Sequence, residues 1–263
     1  MEYEGSQEDS GKSQGDQGWR KRSSCDGGMK CCSFPLPNAQ TRIEGFNVSD
    51  WNEQLREMRE EYDSTPLRKS DLKECPIEQF SLWLKDASDA GVPDSNACSL
   101  ATVDEESRPV ARAILLKGME GGRFVFYTNF NSRKATQLIN SSSASMHFPW
   151  FALQRQVMIT GKVAKFEESK TEEYFRSRPY FSKLGAWASR QSEDLDSRET
   201  LEKAFIEARE KYGDDPPRPP HWGGFALQPD TIEFWQGGPH RLHDRFLFER
   251  DEIGDWNVRR LYP

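Results

Sequence analysis

The densest group of chemically capable side chains lies between His221 and Arg245, a window that holds three of the chain's four histidines. Within it a strand-like run ends in a Gly-Gly-Pro turn, after which Arg241, His243 and Arg245 stand at alternate positions. If this segment is extended, alternate side chains lie on one face, and all three would face one pocket. Two guanidinium groups beside an imidazole suit a planar or phosphorylated anion, which arginine binds through paired hydrogen bonds.

A second cationic group begins in the apolar run 110–117. In an extended strand Arg112 shares a face with Ile114 and Leu116, whereas Lys117 falls on the opposite face at the strand's end. A cation on an apolar face needs a binding partner or a route to solvent. Arg112 is therefore either a side chain that extends to water or part of an anion site.

Two more cations, Arg133 and Lys134, directly follow Ser132 at the predicted start of a helix. The unpaired N–H groups and the dipole of a helix N-terminus attract anions. Cations are unfavourable for the helix itself at that end, so a bound phosphate would explain their presence. The alternative is a pair of solvated surface residues.

Other chemistries have weaker support. His240 and His243 have the HxxH spacing, but no cluster of carboxylates accompanies them, and we expect no metal site. The chain contains no G-x-S-x-G, P-loop or G-x-G-x-x-G motif. The residues alone therefore predict a protein that holds anionic, aromatic ligands, without naming a reaction.

Composition narrows the class of protein. The 263 residues include 36 Lys and Arg against 43 Asp and Glu, a net charge of −7, which argues against a protein that coats nucleic acid. No apolar run approaches the length of a membrane span. Five cysteines in a chain of this length do not fit a disulfide scaffold and favour a reducing compartment, so we expect a cytoplasmic protein.

The elements that must position these side chains begin after a tail. Residues 1–45 are rich in Gly, Ser, Gln and acids and are predicted to be disordered, with one domain at 46–263. Helices are predicted at 49–62, 76–91, 132–140, 167–178 and 198–212. Strands are predicted at 98–103, 110–117, 123–128, 144–150, 156–166 (with a bulge at Gly161), 225–228, 231–236, 245–250 and 256–262. This pattern predicts an α+β, mainly antiparallel, barrel-like domain.

Several short motifs stand in one order between 52 and 263. They are Arg112-x-x-Leu115-Leu116-Lys117, Phe126-Tyr127-Thr128-Asn129, Ser132-Arg133-Lys134, Arg155-Gln156-Val157, Tyr174-Phe175-Arg176-Ser177-Arg178-Pro179, Gln191-Ser192, Trp222-Gly223-Gly224, Glu233-Phe234-Trp235-Gln236-Gly237, Arg241-Leu242-His243-Asp244-Arg245 and Arg260-Leu261-x-Pro263. Each motif alone is weakly specific. The ordered set resembles the pyridoxine (pyridoxamine) 5′-phosphate oxidase family.

The resemblance implies an FMN-binding split β-barrel with flanking helices, assembled as a homodimer through a C-terminal dimerisation and substrate region at 218–263, with FMN at the subunit interface. It implies that the FMN contacts are Arg112, Ile114, Leu115, Lys117, Tyr127, Thr128, Arg133, Lys134, Gln156, Gln191, Ser192, Trp235 and Arg245. The implied substrate contacts are Arg59, Tyr62, Lys117, Tyr174, Arg178, Ser182, Arg241 and His243. Arg241 and His243 are the implied catalytic pair, positioned over the pyridine ring.

The implied reaction is the oxidation of pyridoxine or pyridoxamine 5′-phosphate to pyridoxal 5′-phosphate, with dioxygen as the electron acceptor and hydrogen peroxide as a product. Two alternatives stay open: another split-barrel flavoprotein, such as a flavin reductase-like protein, and a non-catalytic pyridoxal phosphate-binding protein. The Arg241–His243 pair and the Tyr174–Arg178 motif favour the oxidase over the reductase. The FMN contacts argue against the non-catalytic protein.

Overall fold

The computed structural model describes residues 48–58 and 60–263, and the chain divides into two units, Met1–Arg59 and Glu60–Pro263. Helix α1 (Val48–Glu57) belongs to the first unit, and every other element belongs to the second. The helix predicted at 49–62 is thus too long, because Tyr62 lies in irregular chain beyond α1. The predicted tail and the implied substrate contact Arg59 lie outside the described residues.

The second unit is an antiparallel sheet with helices around it. Its strands are β1 (Ala97–Val103), β2 (Pro109–Leu115), β3 (Gly118–Glu120), β4 (Arg123–Asn129), β5 (Ser143–Trp150), β6 (Arg155–Lys165), β7 (Trp222–Gln236), β8 (Asp244–Arg250) and β9 (Trp256–Leu261). Its helices are α2 (Pro76–Asp89), α3 (Arg133–Ser141), α4 (Glu168–Ser177), α5 (Tyr180–Ala188) and α6 (Arg198–Tyr212). The strand order is β2-β1-β5-β6-β7-β4-β3, with β8 paired to β7 and β9 to β8. None of the described helices has the length and apolar character needed to cross a bilayer.

Strand β7 organises the sheet. Its first half pairs with β4 and its second half with β8, while β6 runs alongside both halves. The sequence predicts two strands here, and that prediction is wrong. The pairing with β6 shifts register between Thr160 and Gly161, opposite Pro229, which has no N–H to donate. A Cβ on Gly161 would lie 2.0 Å from the Gln228 carbonyl oxygen, so only glycine fits here. The bulge predicted at Gly161 is present at this point of the β6–β7 pairing, but its extra residue, Asp230, lies on β7.

Helix α2 covers one side of the sheet and completes the core. It begins with Pro76 at its first turn, a position where the missing N–H costs nothing. Its buried Phe80 contacts the rings of Phe124, Phe148 and Trp150, with centroids 5.0, 4.9 and 5.8 Å away. Edge-on and tilted aromatic contacts of this kind add to the stabilisation from burial.

Two elements escape the sequence patterns. Strand β3 lies between the strands predicted at 110–117 and 123–128, where no element is predicted, and helix α5 follows Pro179 without a predicted counterpart. Helix α5 carries a glycine and three aromatic residues, which are not strong helix formers, and it forms because Leu184 and Ala188 are buried. The absence of α5 from the predicted elements matters for function, because α5 contributes residues to the cleft described next.

Candidate functional site

A cleft of about 690 Å³ opens between the sheet and the helices α4 and α5, and we call it the first cleft. It brings together many residues of the implied FMN and substrate sets: Ile114, Leu115, Lys117, Tyr127, Thr128, Lys134, Tyr174, Arg178, Ser182 and Gln191. Its described lining includes the cations Lys117, Lys134 and Arg178 and contains no Asp or Glu. Cations gathered without carboxylates form a site prepared for an anion.

Lys134 is the cation held at the α3 side of the first cleft. Its Nζ donates to Thr128 Oγ1 at 3.2 Å and to Gln191 Oε1 at 2.8 Å, both neutral acceptors. Burial and the nearby Arg112 lower the pKa of Lys134. Ser132, by contrast, is buried and caps α3, accepting from the Ala135 N–H and donating to the Asn129 carbonyl. The Ser132 hydroxyl is therefore used in capping the helix, and the Lys134 ammonium is the group available to a ligand.

Arg112 lies on the inner face of β2 with Ile114, as predicted, while Lys117 is exposed. Its guanidinium donates to the Leu100 carbonyl, to Thr102 Oγ1 and to Gln137 Oε1 at 3.1, 2.6 and 2.8 Å. All three acceptors are neutral, so the positive charge is not neutralised. Burial and the like charge of Arg133 lower the pKa of Arg112.

The Arg133 side chain lines a different cavity from that of its neighbour Lys134. Its side chain is 62% exposed, lies 3.8 Å from Asp104 Oδ2 and lines a separate cavity of about 490 Å³ beside the turn 104–108. In this chain the structure does not bring Arg133 into the first cleft. Ser192 is also outside the lining: it is exposed, with a left-handed φ of 77°, directly after Gln191.

The opposite wall of the first cleft is aromatic. The rings of Tyr127, Tyr174 and Trp222 are nearly parallel, with Tyr127 centred 4.0 Å from Tyr174 and 5.3 Å from Trp222. The Arg178 guanidinium lies 4.4 Å from the Trp222 ring and donates from Nη2 to the Ser182 carbonyl at 2.9 Å. Burial lowers the pKa of Arg178 and raises the pKa of Tyr127 to about 12.

One donor at this wall is unused. Arg178 Nε is buried and has no hydrogen-bond partner in the described part of the chain. Buried donors of this kind are rare in native proteins and indicate a missing ligand or water. Arg178 lines the first cleft, so an anion bound there is one candidate for the missing acceptor.

A second group of implied FMN contacts lies elsewhere. Gln156, Trp235 and Arg245 line a cavity of about 200 Å³, which we call the second cleft. Trp235 stands 13 residues after Trp222 on β7, roughly 40 Å of strand at about 3.3 Å per residue. Arg245 donates to both oxygens of Glu233 at 2.8 and 3.1 Å, which raises its pKa. One chain thus places the two groups at opposite ends of the same strand.

Arg241 and His243 follow β7 next to the second cleft. Residues Pro239–Arg241 form a 3-10 turn in which His240 and Arg241 have left-handed φ values of 54° and 61°. The segment is therefore not extended, and the shared face predicted for Arg241, His243 and Arg245 is wrong. Arg241 is exposed in this turn.

His243 sits in an aromatic cluster. Its ring is centred 4.6 Å from Trp235 and 5.5 Å from Tyr62, and its Nδ1 accepts the Gly238 N–H at 3.2 Å. Burial and the positive charge of Arg241 lower the pKa of His243. The structure thus brings together Tyr62 and His243, two members of the implied substrate set.

Sequence reasoning misses part of the first cleft. Asn129, Gly185, Ala186 and Ser189 also line it, and the last three follow from helix α5 and its end. If the sequence patterns had predicted a helix at 180–188, these three residues would have been expected near Ser182. No group of three or more His, Cys, Asp or Glu side chains within 48–58 and 60–263 could hold a metal ion.

Most of this chain matches known protein families. Residues 84–212 match the family model described as pyridoxamine 5′-phosphate oxidase, and residues 222–263 match the pyridoxine 5′-phosphate oxidase C-terminal dimerisation region. A pyridoxine/pyridoxamine 5′-phosphate oxidase of Vibrio campbellii is 49% identical over 211 residues, which cover 80% of this chain and 100% of the relative. The chain belongs to the pyridoxamine 5′-phosphate oxidase family. A relative with the same description from Paraburkholderia phytofirmans is 47% identical over 210 residues, 80% of this chain and 99% of the relative.

Solved structures agree with membership of the pyridoxamine 5′-phosphate oxidase family. PhzG of Burkholderia lata, in complex with tetrahydrophenazine-1-carboxylic acid, is 31% identical with a TM-score of 0.73, over 78% of this chain and 100% of PhzG. An FMN-binding, pyridoxamine 5′-phosphate oxidase-related protein of Nostoc punctiforme shares the fold, with a TM-score of 0.59 at 17% identity over 72% of this chain and 98% of its own. The resemblance and the α+β split β-barrel are thereby confirmed, and the chain is an oxidoreductase of this family.

Proposed function

We propose that the protein oxidises pyridoxine 5′-phosphate and pyridoxamine 5′-phosphate to pyridoxal 5′-phosphate, with FMN as cofactor. The observation that carries the proposal is the first cleft, where Lys117, Lys134 and Arg178 meet parallel aromatic rings without a carboxylate. When bound, FMN would supply the acceptor for the hydride lost from C4′ of the substrate, and dioxygen would be the final electron acceptor, giving hydrogen peroxide. For the amine substrate, hydrolysis by water would then release ammonia and leave the aldehyde. Cysteine usage and net charge further support a cytoplasmic enzyme without a nucleic-acid or membrane partner.

Two phosphates need two groups of cations. We assign Lys134 to the FMN phosphate, with Arg112 contributing its unneutralised charge and Thr128 holding the ammonium in place. We assign Arg178 to the substrate phosphate, together with Ser182. The orphaned Nε of Arg178 fits this role because a phosphate oxygen would complete its hydrogen bonding.

The second cleft requires a partner copy. We propose a homodimer in which Gln156, Trp235 and Arg245 of one chain complete the first cleft of the other. The separation of Trp222 from Trp235 along β7 supports this arrangement, as does the match of 222–263 to a dimerisation region. A two-fold axis would create two identical sites, each built from both chains.

Arg241 and His243 would then orient the substrate against the flavin, and Tyr62 would cover the site. The lowered pKa of His243 favours a neutral imidazole at neutral pH, able to hold a hydrogen bond without adding charge. The exposed Arg241 is free to bind the substrate in the assembled dimer. Orientation and proximity are the main contributions that these side chains make to the rate.

The test is direct. The full chain is purified, its absorbance spectrum is recorded for bound flavin, and peroxide release is measured with pyridoxine 5′-phosphate and pyridoxamine 5′-phosphate. We expect a flavin spectrum and peroxide with both. A protein without flavin would contradict both flavoenzyme readings and leave a pyridoxal phosphate-binding protein. Flavin without peroxide would point to the reductase-like alternative.

Arg178→Ala is expected to raise KM for pyridoxine 5′-phosphate about tenfold while flavin content stays unchanged, because one charge-assisted contact contributes about 1.5 kcal/mol or more. Steady-state kinetics and the flavin-to-protein ratio measure the two effects. Arg176→Ala is the matched control on the same helix, because Arg176 is exposed and pairs with Glu172. An unchanged KM in Arg178→Ala would remove Arg178 from the substrate site.

A further inference from the structure

The segment 213–221, which joins α6 to β7, has no role in the function proposed above. Its Arg218 side chain is only 11% exposed. The guanidinium donates from Nη1 to the Trp222 carbonyl at 2.7 Å and from Nε to Glu172 Oε2 at 3.0 Å, and it also pairs with Glu168. One largely buried side chain therefore joins helix α4 to the first residue of β7.

Helix α4 and strand β7 both contribute residues to the aromatic wall of the first cleft. Helix α4 presents Tyr174, which stacks on Tyr127, and ends at its cap residue Arg178. Strand β7 begins with Trp222, whose ring lies 4.4 Å beneath the Arg178 guanidinium. The position of α4 relative to the start of β7 thus determines where Arg178 lies.

The same segment is attached to α5. Lys183 Nζ pairs with Asp215 Oδ1 at 3.1 Å, and Trp187 Nε1 donates to the Pro217 carbonyl at 2.7 Å. Helix α5 carries Ser182, the other proposed contact of the substrate phosphate. Helices α4 and α5, which flank this end of the cleft, therefore both form ion pairs or hydrogen bonds with the segment 213–221.

We propose that Arg218 is a positioning residue for the substrate-phosphate end of the first cleft. It is not among the residues that line the cleft, so it acts through α4 and Trp222 rather than on the ligand. The planar guanidinium reaches two carboxylates and a carbonyl at once because its donors are spread over three nitrogens, whereas the three donors of a lysine ammonium converge on one atom. The identity of the ligand rests on the proposed function, whereas the positioning of Arg178 does not.

The experiment compares the full-length, flavin-loaded protein with Arg218→Ala, Arg218→Lys and Arg176→Ala. Arg176 is the matched control because it binds the same Glu172 carboxylate but is 76% exposed and has no contact with β7 among the described interactions. We expect Arg218→Ala to raise KM for pyridoxine 5′-phosphate about tenfold, with kcat and flavin content nearly unchanged, since small displacements of a binding group are costly. Competitive inhibition by inorganic phosphate should weaken by the same factor. Arg218→Lys should restore part of the loss, and Arg176→Ala should behave as the unsubstituted protein.

A purely structural role predicts a different result. A lower Tm in Arg218→Ala with an unchanged KM and unchanged phosphate inhibition would overturn the proposal. If Arg218→Ala does not fold, Glu172→Gln removes one of the ion pairs and should raise KM by a smaller factor; an unchanged KM there would also overturn it.

The failure of the proposed function would be seen separately. If the unsubstituted protein releases no peroxide, binding of inorganic phosphate is measured by calorimetry on the same variants. Weaker phosphate binding in Arg218→Ala than in Arg176→Ala would support the positioning role without the oxidase activity. Equal binding in the two variants, or no phosphate binding by the unsubstituted protein, would overturn it.

Discussion

Lys134→Ala is expected to yield a folded protein that has lost most of its flavin. Lys134 Nζ has only neutral partners, Thr128 and Gln191, so its charge is available to the FMN phosphate. A charge-assisted hydrogen bond contributes roughly 1.5–3 kcal/mol, which corresponds to a fall of about 10- to 150-fold in FMN affinity. The flavin-to-protein ratio after desalting and a titration of the apoprotein with FMN measure the loss.

The neighbouring Arg133→Ala provides the comparison. Arg133 is exposed and lies beside Asp104, which neutralises part of its charge, so the loss of flavin should be smaller. Lys134→Arg should keep most of the affinity because the charge remains. If Lys134→Ala binds FMN as tightly as the unsubstituted protein, the FMN phosphate does not bind at the start of α3.

Arg241→Ala is expected to lower kcat about 100-fold while the flavin remains bound. Arg241 lies outside the first cleft, so FMN retention should not depend on it. In the proposed dimer it orients the substrate against the flavin, and misorientation of a reacting group costs rate on this scale. Steady-state kinetics with pyridoxine 5′-phosphate and the flavin-to-protein ratio report the two quantities independently.

His240→Ala is the matched control for this change. His240 is exposed, precedes Arg241 and shares its left-handed backbone conformation, so both substitutions alter the same turn. His240→Ala should keep nearly full turnover. Equal loss of flavin in Arg241→Ala and Lys134→Ala would show that the division between a cofactor cleft and a substrate-orienting turn is incorrect.

Local patterns in the sequence predict much of this molecule. Helix α6 has the predicted limits because Ser197 caps its start and Gly213 ends it. The inward face of β2 follows from the alternation of side chains, and Arg112 lies on it as expected. Lys134 and Arg178 could be named before the fold was known because the motifs that carry them are contiguous in sequence.

The remaining features depend on contacts between distant residues. Strand β7 continues past Pro229 because a register shift opposite Gly161, on another strand, accommodates the extra residue Asp230. Helix α5 forms although it contains a glycine and three aromatic residues. Arg241 leaves the extended conformation in a turn closed by the hydrogen bond from the Leu242 N–H to the Pro239 carbonyl. No local sequence pattern predicts that the two clefts lie at opposite ends of β7. Residues that line the first cleft and residues that line the second cleft alternate along the sequence.

The length of β7 has a consequence for mixed assemblies. Each chain carries one half of a site at Trp222 and the complementary half at Trp235, so in the proposed dimer a defect in one half affects only one of the two sites. Co-expressed Lys134→Ala and Arg241→Ala chains would form hybrid dimers in which one site contains both defects and the other contains neither. Two nearly inactive variants should therefore regain activity when they assemble together, and this recovery would be absent if each chain built its site alone.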